Sequence, residues 1–222
     1  KKDFVVNVSH ELRTPLTAIK GFVETLEESV EDENRNYVEI IKRNTDRLIN
    51  IVEDLLVLSE LEEKGTTLEL EELQLKEMIE RILKIFEPRM KEKGLNLELH
   101  VEDTVPRIMA DAFKLEQALI NLIDNAVKYT EKGTIAISLR YQDSQVMIEI
   151  KDTGIGIPEE HISRLFERFY VVDKSRSKRL GGTGLGLSIV KHIVLLHNGT
   201  LQLNSPPSQG TTFSISLPTN PV

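Results

Sequence analysis

A helical hairpin followed by an α+β sandwich is the fold this sequence predicts, and three observations carry the prediction. Apolar residues recur every seven positions through roughly the first quarter of the chain. A charged, non-periodic stretch, Glu62-Glu63-Lys64-Gly65-Thr66-Thr67, then ends that rhythm. Beyond it, segments of period two alternate with segments of helical period. With 222 residues, 40% of them hydrophobic, there is material for two modest domains with cores of their own. Residues 1–63 are therefore read as an all-α hairpin and residues 64–222 as the sandwich.

In the first helix, Val5, Leu12, Ile19 and Leu26 form one row and Val8, Pro15 and Phe22 the next, which is an a/d seam. The acidic stretch from Ser29 to Asn36 breaks it. A second helix follows, with Tyr37, Asn44, Ile51 and Leu58 on one row and Ile41, Leu48 and Leu55 on the other. Phe4, Val23, Val30, Ile40, Val52 and Leu56 widen the apolar face beyond what one partner helix covers. Two chains are thus expected to pair into a dimeric four-helix bundle, with Asn44 on the seam helping to set register. With Val5 and Leu12 at successive a positions, His10 falls at f, the most exposed place in the heptad. Pro15 has no N–H for the carbonyl of Glu11, so a kink, read as a hinge, is expected on the turn carrying His10 and Glu11.

The second domain reads, in order, as a strand in LELEEL, a helix from Lys76 to Lys93 and a strand from Leu95 to Val101. A helix from Ala112 to about Tyr129 and the hairpin TIAISLRY–VMIEIKD come next. A Gly-rich, basic, irregular region leads to a helix from Leu185 to His197, and the pair TLQLNS and TTFSISLP closes the chain. Strands paired mostly as hairpins, with helices between them, predict helices on one face of a mixed sheet.

Composition narrows the function. A net charge of −8 argues against nucleic acid as a partner, because neutralising phosphates needs a basic surface. Without cysteine there is neither a disulfide framework nor a thiolate metal site. No apolar run approaches the roughly 20 residues that span a bilayer, so no direct membrane contact is expected of this piece. Helical periodicity is already under way at Lys1-Lys2-Asp3-Phe4, as in a piece of a longer protein.

Four segments of the second domain carry chemistry. In QALINLIDNAVKY, Asn121, Asn125 and Lys128 share a helix face, where two amide oxygens and a cation suit Mg²⁺ with attached phosphates. Asp152-Thr-Gly154-Ile-Gly156-Ile-Pro158 follows a strand; its carboxylate suits an exocyclic amine such as that of adenine, and its glycines admit a flat ligand. Gly181-Gly182-Thr183-Gly184-Leu185-Gly186 runs into a helix and offers backbone N–H groups to phosphate. It lacks the Lys of a P-loop and the spacing of a dinucleotide fingerprint. The basic run before it, with Lys174, Arg176, Lys178 and Arg179, reads as a mobile lid over an anionic ligand. Gly210-Thr211-Thr212-Phe213 gains meaning only from its place after the other three. An HExxH zinc motif fails at Thr14, and His100, His161, His192 and His197 lack ligand spacing and read as structural.

In this order the segments resemble the catalytic core of bacterial two-component sensor histidine kinases, of which the phosphate-regulon sensors are one type. VSHELRTPLTAIKGF resembles the family's H box, QALINLIDNAVKYT the N box, DTGIGIP the first glycine box, LFERFY the F box and GGTGLGLS the second glycine box. GTTF stands where the family has its last box, and the resemblance spans essentially the whole chain. It implies a dimeric phosphoacceptor hairpin joined to an ATP-binding domain of the Bergerat type shared with gyrase and mismatch-repair ATPases.

Carried over, the resemblance makes His10 the phosphoacceptor, Glu11 its acid/base partner and Thr14 the residue orienting water in the reverse, dephosphorylating reaction. Asn121 and Asn125 would serve Mg²⁺ and phosphates, Lys128 and Tyr129 the nucleotide, and Asp152 the adenine amine. Gly154, Gly156, Gly182, Thr183, Gly184, Leu185, Gly186 and Thr212 would line the ATP site. A homodimer, a response-regulator receiver domain as partner, and a cytoplasmic position beneath a membrane-anchored sensor are implied as well. Val171 departs from the family's Arg: either Lys174, Arg176, Lys178 or Arg179 supplies that charge, the favoured reading, or the γ-phosphate is held less firmly. Asn121 also stands where hydrolysing relatives carry a water-activating Glu, and an amide cannot take that proton, which favours transfer to imidazole over hydrolysis.

Overall fold

The computed structural model describes residues 16–26, 32–63, 65–206 and 209–221. His10, Glu11, Thr14 and Pro15, and with them the expected hinge, lie outside the described residues. The chain divides into two compact units, Lys1–Thr66 with Arg168–Leu185, and Thr67–Glu167 with Gly186–Val222. Residues 168–185 are thus grouped in the first unit with residues 1–66.

In the first unit, α1 is helical over residues 16–26 and α2 runs Asp32–Leu61. Asp32 to Asn36, assigned to the break from sequence, already belong to α2; an acidic first turn suits a helix start. Lys20 Nζ lies 2.8 Å from Asp46 Oδ1 and ties α1 to α2. Val38, Thr45, Val52, Leu58 and Leu61 of α2 are buried within this unit with Val23 from α1, and Thr45 satisfies its hydroxyl on Ile41 O at 2.9 Å. Of the expected seam Leu58 is buried, and a row one position on, Val38, Thr45 and Val52, shares the interior with it. Tyr37, Ile41 and Leu48 stay exposed, at 65%, 48% and 47%, while Asn44 spends its amide on Ile40 O of its own helix.

The second unit holds β1 (Leu70–Leu73), α3 (Leu75–Lys93), β2 (Leu95–Val101), β3 (Ile108–Asp111) and α4 (Ala112–Tyr129). There follow β4 (Gly133–Gln142), β5 (Gln145–Asp152) and the single turn α5 (Glu159–Ile162). In the first unit α6 covers Lys174–Arg179; back in the second, α7 (Gly186–Leu196), β6 (Thr200–Asn204) and β7 (Thr211–Pro218) complete the chain. Five strands form one mixed sheet in the order β2-β4-β5-β7-β6, with β2 parallel to β4 and every other pair antiparallel. β1 and β3 form a separate antiparallel pair, and β3 was not foreseen.

Alternation along the strands turns Ile135, Ile137 and Leu139 of β4, Val146, Ile148 and Ile150 of β5, and Phe213, Ile215 and Leu217 of β7 inward. The apolar stripes of α3, α4 and α7 close the other side with Ile79, Ile82, Leu119, Ile123, Ile189 and Ile193, all fully buried. Each such side chain contributes about 1.5–3 kcal/mol relative to exposure. Helices on one face of a mixed sheet is the expected sandwich. No helix among the described residues is long and apolar enough to cross a membrane.

Two details fix α4, the helix that carries most candidate polar residues. At its start Asp111 caps Lys114 N at 3.0 Å through Oδ1, while Oδ2 accepts from Lys114 Nζ at 2.7 Å and Glu69 N at 3.1 Å. Burial opposes ionisation of this carboxyl, but the bonds from Lys114 and from the Glu69 backbone outweigh it and hold the group below its usual range. At the other end Lys93 Nζ reaches the carbonyls of Val127, Lys128 and Thr130 at 2.6, 3.3 and 3.1 Å, placing a cation on the negative end of the helix.

Candidate functional site

Burying Leu115, Leu119, Leu122, Ile123, Ala126 and Val127 leaves Asn121, Asp124, Asn125 and Lys128 half-buried. Asn121 and Asn125 are four residues apart on α4, as the spacing predicted. Lys128, by contrast, is held: its Nζ lies 2.6 Å from Asp124 Oδ2, and Arg89 of α3 holds Asp124 Oδ1 at 2.7 Å. Asp124 was passed over in the sequence, although its i,i+4 spacing to Lys128 was readable there.

At the end of β5, Asp152 is only 6% exposed. Its Oδ1 accepts from Gly154 N at 2.8 Å and from Thr211 N at 3.2 Å. Burial pushes this carboxyl above the usual carboxylate range, against the pull of those two N–H bonds. Among the described residues Oδ2 accepts no hydrogen bond, so this oxygen stays available as an acceptor. Beside it, a Cβ on Gly154 would stand 2.6 Å from Tyr129 O and 2.8 Å from Asp152 Oδ1, so only glycine fits where the loop crosses the end of α4. A Cβ on Gly186, at the start of α7, would stand 3.0 Å from Asn121 Oδ1. The second unit thus brings Asn121 to Gly186, and Tyr129 and Asp152 to Gly154; Gly156 follows in the same turn.

Ser205 secures that turn from the β6–β7 connection. Its Oγ accepts from Ile157 N at 2.8 Å and donates to Gly210 O at 3.0 Å, with Thr211 Oγ1 3.1 Å away. The register corrects one expectation: Thr211 pairs with Asp152 and faces inward with it, whereas Thr212 pairs with Lys151 and points to the opposite face of the sheet.

Gly182, Thr183, Gly184 and Leu185 belong to the first unit. There Thr183 Oγ1 donates to Asp54 Oδ2 of α2 at 2.7 Å and accepts from Leu185 N at 3.2 Å. Arg47 Nε donates to Gly182 O at 3.2 Å, Gly184 O accepts from Phe169 N at 2.9 Å, and Arg168 pairs with Glu62. The basic run, expected to be irregular, is helix α6. Asp173 starts it, Oδ1 accepting from Ser175 Oγ, Ser175 N and Arg176 N at 2.7, 2.8 and 3.1 Å. Those bonds keep the Asp173 carboxyl below its usual range.

His197 is structural, as expected. It is 1% exposed, its Nδ1–H donates to Ile193 O at 2.8 Å, and its Nε2 accepts from Asp111 N at 3.0 Å. Burial holds its imidazole below the ordinary range, in the neutral form that this pair of bonds requires.

The chain as a whole is similar to known proteins. Residues 110–221 match the model of the histidine kinase-, DNA gyrase B- and HSP90-like ATPase family, and residues 1–64 match the His Kinase A (phospho-acceptor) domain. The sensor histidine kinase WalK of Bacillus subtilis is 37% identical over 224 residues, covering 98% of this chain and 36% of WalK. Full-length ShkA, solved in complex with AMPPNP, superposes with a TM-score of 0.83 at 29% identity, covering 100% of this chain and 48% of ShkA. Histidine kinase ThkA, solved in complex with the response regulator protein TrrA, has a TM-score of 0.70 at 28% identity, covering 99% of this chain and 62% of ThkA.

Proposed function

From a chain that belongs to the histidine kinase-, DNA gyrase B- and HSP90-like ATPase family, with a His Kinase A segment ahead of the ATPase domain, we propose the catalytic core of a two-component sensor kinase. It autophosphorylates His10 from Mg²⁺-ATP and passes the phosphoryl group to an aspartate of a response-regulator receiver domain. The observation that carries this reading is the buried Asp152 carboxylate with Oδ2 unused, set beside the glycine cradle at Gly154. An adenine amine would donate to that oxygen, beside the turn that a glycine at 154 lets pass close to the end of α4.

Asn121 and Asn125 would hold Mg²⁺ through amide oxygens, and the ion would supply positive charge for the phosphates. Among the described residues no cluster of His, Asp and Glu competes for such an ion. Lys128 and Tyr129 would contact the nucleotide, and Gly156, Gly182, Thr183, Gly184, Leu185 and Gly186 would line the phosphate end. Thr211 takes the place first given to Thr212.

The reaction asks little of His10 beyond a lone pair. Near pH 7 most of an exposed imidazole is neutral; one ring nitrogen attacks the γ-phosphorus as the bond to the ADP oxygen breaks, while Glu11 stabilises the N–H on the other nitrogen. Thr14 would place water for the reverse activity on the receiver aspartate. The exposed Ile19, Phe22, Leu26, Tyr37, Ile41 and Leu48 support a homodimer, since a second chain would cover them. The chain spans 36% of WalK; in this reading it would be a cytoplasmic portion of a longer, membrane-anchored sensor.

Incubation with γ-labelled ATP and Mg²⁺ tests the proposal. Acid-labile, alkali-stable label on the protein that disappears in His10→Gln is the expected result. Label that persists in His10→Gln would remove the acceptor, and free phosphate without protein label would point to an ATPase.

A further inference from the structure

One carboxylate on the α4 site face serves two cations, and one of them comes from another helix. Arg89 Nη1 of α3 lies 2.7 Å from Asp124 Oδ1, and Lys128 Nζ lies 2.6 Å from Asp124 Oδ2. The Asp124 and Lys128 side chains are 23% and 20% exposed, so water screens them less than it screens a surface pair.

Alone, the Lys128–Asp124 pair is neutral and pulls weakly on an anion. With Arg89 the cluster carries one net positive charge. We propose that Arg89 is a positioning residue for the nucleotide: by occupying one oxygen of Asp124, it leaves the charge of Lys128 available to the triphosphate. This rests on the reading of Lys128 as a phosphate contact. Arg89 itself acts through Asp124, and its effect grows with the charge of the ligand.

The test measures equilibrium binding of adenosine, Mg²⁺-ADP and Mg²⁺-ATP to the whole 222-residue chain at about 50 mM and about 300 mM salt. Arg89→Ala is expected to weaken ATP about threefold and ADP less, to leave adenosine unchanged, and to lose much of its effect at the higher salt. Asp124→Asn should act with the opposite sign and tighten ATP by a similar factor. The double variant, with Lys128 alone, should return to within about twofold of the parent, and Arg89→Lys should recover most of the affinity. Equal weakening of all three ligands by Arg89→Ala would mean a fold defect and overturn the proposal, as would weaker ATP binding in Asp124→Asn. Lys128→Ala separates the two levels. Weakened ATP there, with Arg89→Ala silent, removes only the role of Arg89; unchanged ATP affinity removes the reading of Lys128 and the proposal with it.

Discussion

Asp111 and Asp152 both end a strand, both are nearly buried at 3% and 6% exposure, and both accept two backbone N–H bonds. They differ in what else they meet. Asp111 has the ammonium of Lys114 at 2.7 Å and is held ionised; Asp152 meets no cation among the described residues, and burial pushes its carboxyl up. Asp111 finds all its partners inside the chain, which is how a structural carboxylate is completed. Asp152 keeps an oxygen for something that is not part of the chain.

The sharpest way to break this comparison is to remove each carboxylate. Asp111→Ala should cost about 3 kcal/mol of unfolding free energy, because it leaves Lys114 without its partner and strips the α4 cap. Chemical denaturation measures this; a loss below about 1 kcal/mol would make the corner ordinary. Asp152→Asn should weaken ATP binding by about 1.5–3 kcal/mol, roughly ten- to a hundredfold, while the midpoint of thermal unfolding does not fall. Calorimetry of binding and of melting read the two halves separately, and a midpoint several degrees lower would make Asp152 structural after all.

Ser205→Ala should cost about 1–2 kcal/mol by leaving Ile157 N and Gly210 O short of a partner, and should loosen adenosine binding through the turn it secures. Intact stability would show that water replaces the hydroxyl. The smallest effect concerns pH. His197 has its folded pKa lowered below the ordinary 6.5, so its contribution is fully present above that value. It is lost as pH falls below 6.5 and the unfolded chain takes up the proton first. His197→Gln should flatten that part of the stability profile; an unchanged slope would assign it to other groups.

Long, strongly periodic elements were legible. β2 and α4 fall where alternation and helical spacing put them; α4 buries one continuous apolar face, whereas edge strand β2 buries only Leu95 and leaves Leu97 exposed. Three features were hidden for separate physical reasons. Four-residue β3 exists only through non-local pairing with β1, and nothing in Ile108–Asp111 by itself demands a strand. Helix α6 has hardly an apolar residue to announce it and depends on the Asp173 cap. Thr211 and Thr212 are alike in sequence, and only the register against β5 tells inward from outward. Of the site, Asp152, Gly154 and the Asn121–Asn125 pair were readable. The i,i+4 pairing of Lys128 with Asp124 was readable but passed over, and the contact of Arg89 with Asp124 was not, because Arg89 comes from a different helix.

The two-residue turn at Asp143 and Ser144, both with positive φ of 52° and 63°, joins β4 to β5 with almost no chain to close. That hairpin is therefore expected early on the folding route. Thr211, which completes the bonds at Asp152, lies 59 residues away in the chain, so β7 joins the sheet only after a long loop has been closed. A nascent or half-folded chain then already holds the β4–β5 hairpin while the corner at Asp152 is still open. Nucleotide would bind late, as a clasp on the finished domain, and its presence should slow unfolding more than it speeds folding.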